Sequence, residues 1–173
     1  SQLESLRAKD QFLVIASDVT ARAHADGFQQ ADGDNRAEAM VFARAVSPDG
    51  ASDLNNGFSL AAQHLEHLPS TAQPEVIYIG DGTPTWGVTE SSDLIEALKS
   101  HLDKATFSAM VMGRGANSDL RRVVSDAQGG IVVHPKSMVD VRRFALRLAQ
   151  QLDGPRFQDT QIQTMEPHHI HAP

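Results

Sequence analysis

Val76-Ile77-Tyr78-Ile79-Gly80-Asp81-Gly82 decides how the rest of this 173-residue chain is read. Four apolar residues run straight into Gly-Asp-Gly, after Pro74 and before Thr83-Pro84-Thr85-Trp86-Gly87. A short unbroken apolar run bounded by turn residues reads as a strand buried on both faces, as in a parallel sheet. Asp81 sits where that strand stops. In open α/β sheets ligands bind outside the carboxyl ends of strands. A carboxylate on a glycine turn there can meet a cation or a polar ligand, or it can cap the turn and bind nothing.

Upstream, Phe12-Leu13-Val14-Ile15-Ala16 reads as a second buried strand, with Thr20 to Ala25 as its antiparallel edge neighbour, joined tightly near Asp18. Gln2 to Lys9 suits the last turns of a helix. Asp32-Gly33-Asp34-Asn35 supplies turn and N-cap residues for a helix whose stripe is Ala37, Met40, Val41 and Ala45. Ser47-Pro48-Asp49-Gly50 breaks it, and Ala51-Ser52-Asp53 opens another, with Leu54, Phe58, Ala61, Leu65 and Leu68 facing inward. Downstream, Ser91 or Ser92 caps a helix holding Leu94, Ile95, Leu98 and Leu102. Phe107 to Met112 is a third buried strand, ended by Gly113-Arg114-Gly115. Asn117-Ser118-Asp119 caps a short helix closed by Gly129-Gly130, and Ile131-Val132-Val133 is a fourth strand, ended by His134-Pro135. Val139 to Leu152 is amphipathic: Val141, Phe144, Ala145, Leu148 and Leu152 face inward, while Arg142, Arg143 and Arg147 face solvent. Alternating strands and helices predict an α/β fold, a three-layer α/β/α sandwich with a mostly parallel central sheet.

Composition narrows the function. Net charge is -7 with a pI near 5.5, and there is no Lys/Arg-rich block, so a nucleic-acid surface is disfavoured. There is no Cys, hence no disulfide framework and no thiolate chemistry. No apolar stretch approaches the roughly 18 residues of a spanning helix. Gly-x-Ser-x-Gly, the Walker loop and His-Glu-x-x-His are all missing, and no glycine-rich phosphate turn follows the first strand, so a Rossmann-type enzyme is disfavoured. Asp18, Asp53 and Asp81 have no nucleophile to serve, and no catalytic residue is assigned.

The order of motifs is specific. Asp49-Gly-Ala-Ser-Asp-Leu54 opens a helix, and about one helix later an apolar strand ends in Gly80-Asp-Gly-Thr-Pro-Thr85. A helix, a strand ending Gly-x-Gly, a helix ending Gly-Gly and a long final helix follow. This resembles a von Willebrand factor type A domain over residues 1–153, most like the bacterial ones that follow a VIT domain, an architecture shared with inter-alpha-trypsin inhibitor heavy chains. The resemblance implies a metal-ion-dependent adhesion site fed by three loops. Ser52 matches the second-loop Thr with its hydroxyl kept, and Asp81 matches the third-loop Asp. Both are hard oxygen ligands that suit Mg²⁺ with waters retained. The ion would keep an open position for an acidic residue of a protein partner.

The first loop departs from the family. Asp18-Val19-Thr20-Ala21-Arg22 only imitates Asp-x-Ser-x-Ser, and it stands too close to Ser52 in sequence. Residues 3 to 25 fit better as the end of the family's first helix and its second and third strands, with the first strand upstream and the domain truncated at its amino terminus. The two strands flanking that place would then carry unpaired backbone groups, pair directly, or be joined by another segment such as Phe157 to Met165 or a partner chain. After Gly154-Pro155, residues 154–173 read as a tail or the first strand of a following β domain. The histidines of Pro167-His168-His169-Ile170-His171 can bind a transition metal or belong to a solvated tail. Trp86, beside the site, is either a contact aromatic or packing for its own loop. The expectation is a non-catalytic protein-recognition or adhesion module with a partial metal site. The alternative is a metal-free scaffold within a larger VIT-containing protein. The resemblance implies a cell-envelope or secreted setting; the oligomeric state stays open.

Overall fold

A computed structural model describes residues 2–47, 50–113 and 130–153. A 3-10 turn (Gln2–Ser5) leads into β1 (Gln11–Phe12), β2 (Ile15–Ser17), β3 (Ala21–Ala23) and β4 (Gln29–Gln30). Then come α1 (Gly33–Ala45), α2 (Leu54–Leu65), β5 (Glu75–Gly80) and α3 (Ser91–His101). The chain continues through β6 (Thr106–Val111), β7 (Val132–Val133) and α4 (Met138–Asp153).

β5, β6 and β7 form a parallel sheet, with Val76 opposite Phe107, Gly80 opposite Val111 and Met110 opposite Val133. Side chains alternate between the faces of a strand, so each face gathers its own layer. Val76, Tyr78, Phe107, Ala109 and Val111 pack with Leu54 and Phe58 of α2 and Leu94, Ile95 and Leu98 of α3. Ile77 and Met110 point the other way, into a cluster with Val141 and Phe144 of α4. The result is the expected three layers. Ser108, fully buried in β6, donates to Glu75 Oε1 at 2.9 Å and accepts from the Ile131 N–H at 3.3 Å. One hydroxyl thus ties β6 to the start of β5 and the approach to β7, and it is not left as a costly unsatisfied group.

The helices follow their local signals. Asp53 caps α2, its Oδ1 accepting the Asn56 N–H at 3.0 Å, and Asp32 caps α1 through the Asn35 N–H at 2.9 Å. In α2, Leu54, Phe58 and Leu65 are buried as the spacing predicts; Leu94, Ile95 and Leu98 do the same in α3. Burying each such side chain is worth about 1.5–3 kcal/mol. Three expectations are corrected. Glu90, not Ser91 or Ser92, is the N-cap of α3, and it makes no side-chain cap bond. In α1 only Ala39 is buried, whereas Ala37, Val41 and Ala45 are exposed, because the helix meets a small satellite cluster rather than the sheet. The helix expected over Gln2 to Lys9 is a 3-10 helix that ends at Ser5. The expected helix over residues 117–130 and the segment after Asp153 lie outside the described residues, apart from Gly130.

The run Phe12–Ala16 is not one buried strand. Phe12 pairs with Gln29, while Ile15–Ser17 form an antiparallel hairpin with Ala21–Ala23 that turns at Asp18, as expected for that pair. The apolar run is divided because two different partners claim its ends. His24 holds the division: its Nδ1 accepts the Val14 N–H at 3.0 Å and its ring stacks on Phe12 at 5.4 Å. Burial pushes the imidazole below its ordinary value of 6.5, and the Val14 bond requires Nδ1 unprotonated. The unfolded chain therefore binds a proton at higher pH than the folded one. Stability should fall as pH drops below 6.5, and this contribution is exhausted once the lower folded value is passed. Urea midpoints should fall between pH 7 and pH 5 by more in the parent than in His24→Gln; equal falls would clear His24 of the effect.

The hairpin β2–β3 and the sheet β5–β6–β7 do not pair with one another. Direct pairing of the strands flanking the expected gap is therefore excluded. Among the described residues β5 pairs with β6 alone and Ile79 is 51% exposed, so within them it stands at an edge and is not the doubly buried strand expected from its composition. α2 bridges the two units: it packs on β2 and β3 and, through Phe58, on Tyr78 at 5.8 Å and Phe107 at 5.4 Å.

Candidate functional site

The rim is built by backbone geometry. At the end of β5, the Tyr78 hydroxyl accepts the Gly82 N–H at 2.9 Å, closing the chain over Asp81. A Cβ on Gly80 would overlap the Tyr78 ring hydroxyl, and Gly82 has φ 73°, which favours glycine. Both glycines of Gly80-Asp81-Gly82 are thus required by the turn. Asp81 is exposed, and its Oδ1 accepts the Thr83 N–H at 2.9 Å. Gly113, past the end of β6, lies beside it.

Ser52 is locked to the same loop. Its N–H donates to Thr85 Oγ1 at 2.8 Å, and its carbonyl accepts from the N–H of Thr85 at 2.9 Å and of Trp86 at 3.1 Å. Asp53 packs against Gly87, where a Cβ would strike its carboxylate. The Asp53 N–H donates to the Asp18 carbonyl at 2.8 Å, and its own carbonyl accepts from Ser17 Oγ at 3.1 Å. The β2–β3 turn, the entry to α2 and the loop after β5 therefore meet. Ser52 joins the Thr85–Trp86 part of that loop, four residues past Asp81, and no hydrogen bond links the two predicted ligands directly. Thr85 is the residue that sequence reasoning missed; its only signal is a hydroxyl in Thr83-Pro84-Thr85. Trp86 is 60% exposed, so it is not packing for its own loop.

Asp18 is fully engaged. Its Oδ1 accepts from the N–H and hydroxyl of Thr20, and its Oδ2 meets Arg22 at 2.9 Å. The Thr20 N–H, with the Thr20 hydroxyl and the Arg22 charge, holds this carboxyl below the usual carboxylate range. The guanidinium occupies the place where a cation would sit on that carboxylate. Among the described residues, no three His, Cys, Asp or Glu side chains gather around one point. His67 Nδ1 contacts the Gln63 carbonyl at 2.8 Å and forms no site with His64.

The family model of the von Willebrand factor type A domain matches residues 2–133. The chain belongs to that family. This type A domain is 27% identical over 170 residues to human inter-alpha-trypsin inhibitor heavy chain H6, covering 92% of this chain and 13% of that protein. Human heavy chain H2 is 23% identical over 167 residues, covering 92% of this chain and 18% of that protein. The domain therefore spans less than a fifth of the length of these relatives. A von Willebrand factor type A structure from Catenulispora acidiphila superposes with a TM-score of 0.75 at 19% identity, covering 86% of this chain and 35% of that one, and shows the shared fold.

The family implies a divalent cation. The candidate donors of this type A domain are the Asp81 carboxylate, with one oxygen taken by Thr83, and the hydroxyl of Ser52, whose backbone is bonded to Thr85 and Trp86. Both are hard oxygens, the chemistry Mg²⁺ takes when it keeps most of its waters. Two such donors are few for an ion, and the carboxylate of Asp18 is engaged by Arg22 at 2.9 Å.

Proposed function

We propose that this type A domain is a non-catalytic protein-recognition module. It would take an acidic residue of a protein partner at a Mg²⁺ held by Ser52 and Asp81, with Trp86 as a neighbouring contact. The observation that carries this reading is the locking of Ser52 into the loop that Asp81 begins. An exposed Trp beside it supports a protein partner, since large aromatics are enriched at interfaces and anchor them. Calorimetric titration with MgCl₂ tests it. Heat of binding is expected, and Asp81→Ala should abolish it; no heat, or heat unchanged in the variant, removes the metal from this domain.

A second reading rests on Arg22. Its guanidinium pairs with Asp18 at 2.9 Å and offsets the carboxylate that a cation in that loop would need. In that reading the domain is a metal-free scaffold inside a larger VIT-containing protein, set in the cell envelope or secreted. The small share of its relatives that it spans supports a place within a longer chain. Among the described residues no helix is long and apolar enough to cross a membrane.

A further inference from the structure

A cleft of about 250 Å³ opens where β7 runs into α4. Val133, Pro135 and Phe144 give it an apolar floor, and Phe144 is 2% exposed. His134, Arg143 and Arg147 line the rest. Arg143 and Arg147 are four apart on α4, so the two guanidinium stems rise side by side from one helix face. Like charges in that arrangement repel unless an anion lies between them.

One acidic group, Asp140, also lines the cleft, and it offsets only one of the two charges. Its Oδ2 accepts the Lys136 N–H and the Ser137 hydroxyl, both at 3.0 Å. Its Oδ1 stands 4.0 Å from Arg143, beyond hydrogen-bond reach. The Ser137 hydroxyl, foremost, keeps the Asp140 carboxyl below its usual range, so it is charged at neutral pH and spent on capping the helix. Two guanidiniums against one occupied carboxylate leave a local positive excess on a chain whose net charge is -7. A planar fork over an apolar floor matches a carboxylate on a short aliphatic stem. The cleft also opens at the carboxyl end of β7, on the same rim of the parallel sheet as Asp81 at the end of β5.

We propose that this cleft binds a carboxylate side chain of a protein partner through Arg143 and Arg147. The site is separate from Ser52 and Asp81 and needs no metal. Nitrogen-15 NMR with EDTA present, at low salt, tests it on the whole chain. The probes are an acetylated, amidated Leu-Glu-Leu tripeptide, its Leu-Gln-Leu counterpart, and glutarate. Leu-Glu-Leu should shift the signals of Val133, His134, Phe144 and Arg147. The shifts should weaken at least tenfold with Leu-Gln-Leu, vanish in the R143Q/R147Q double variant, and weaken without vanishing in R147K, which keeps the charge but loses the fork. Arg143 is 70% exposed, so its replacement leaves the core intact; an unchanged far-ultraviolet spectrum verifies this. No shift in the parent, equal shifts in the double variant, or equal shifts with the glutamine peptide overturn the site. Glutarate binding as tightly as the peptide would overturn the protein partner in favour of a small free acid. Because EDTA removes divalent cations, failure here and failure of the Mg²⁺ titration are read independently.

Discussion

Phe107→Ala is expected to lower the stability of this domain by about 3–5 kcal/mol, the usual cost of emptying a buried aromatic site. Phe107 is 0% exposed and lies in the middle layer, on the face of β6 that meets α2. Its ring stands edge-on to Phe58 at 5.4 Å, an arrangement that adds about 0.5–1.5 kcal/mol beyond the buried area. The void cannot be closed by α2 alone, because Leu54 and Phe58 are committed to the same cluster. Domains of this kind have only about 5–15 kcal/mol in total, so the variant should sit near the edge of folding. Urea unfolding followed by circular dichroism measures it. A loss below about 1 kcal/mol would mean that α2 does not pack on β6 as described.

The second large effect is expected at Gly130. A Cβ there would overlap the carbonyl of Phe107, a backbone group that cannot swing aside. Gly130→Ala must therefore push the approach to β7 away from β6. That would loosen the Ala109 N–H bond to the Ile131 carbonyl at 2.9 Å and the Ile131 N–H bond to Ser108 Oγ at 3.3 Å. Steric misfit and two weakened hydrogen bonds together should cost about 3 kcal/mol. Gly33→Ala is the control: nothing lies within 4 Å of its added Cβ. At the start of α1, alanine should be neutral or stabilise slightly. Equal midpoints for the two variants would remove the close approach at Gly130.

Much of this architecture was legible where one periodicity met one partner. Leu54, Phe58 and Leu65 recur at helical spacing and are buried together; Asp32 and Asp53 precede helices and cap them. Phe107 to Val111 is apolar but for Ser108, and uniformly buried. Reading failed where tertiary context chose. Nothing in Phe12–Ala16 says that Phe12 will face Gln29 while Ile15 faces Ala23. Nor does α1 announce that Ala39, and not Val41, meets a neighbour. At the rim, the Gly-Asp-Gly turn and Ser52 were visible as residue types at the ends of elements. The reciprocal Ser52–Thr85 bonds were not, because they join positions 33 apart, one between two backbone groups and one from a backbone N–H to a hydroxyl that nothing local marks as its acceptor.

The bridging position of α2 has a mechanical consequence. The β2–β3 hairpin shares no strand ladder with the parallel sheet, and α2 packs on both. The Asp18 turn is tied to the N-cap of the helix through the Asp53–Asp18 and Ser17–Asp53 bonds. About one turn further along stands Phe58, against Tyr78 and Phe107. Tyr78 in turn grips Gly82. One helix thus links the Asp18 turn, by an unbroken chain of contacts, to the turn that carries Asp81.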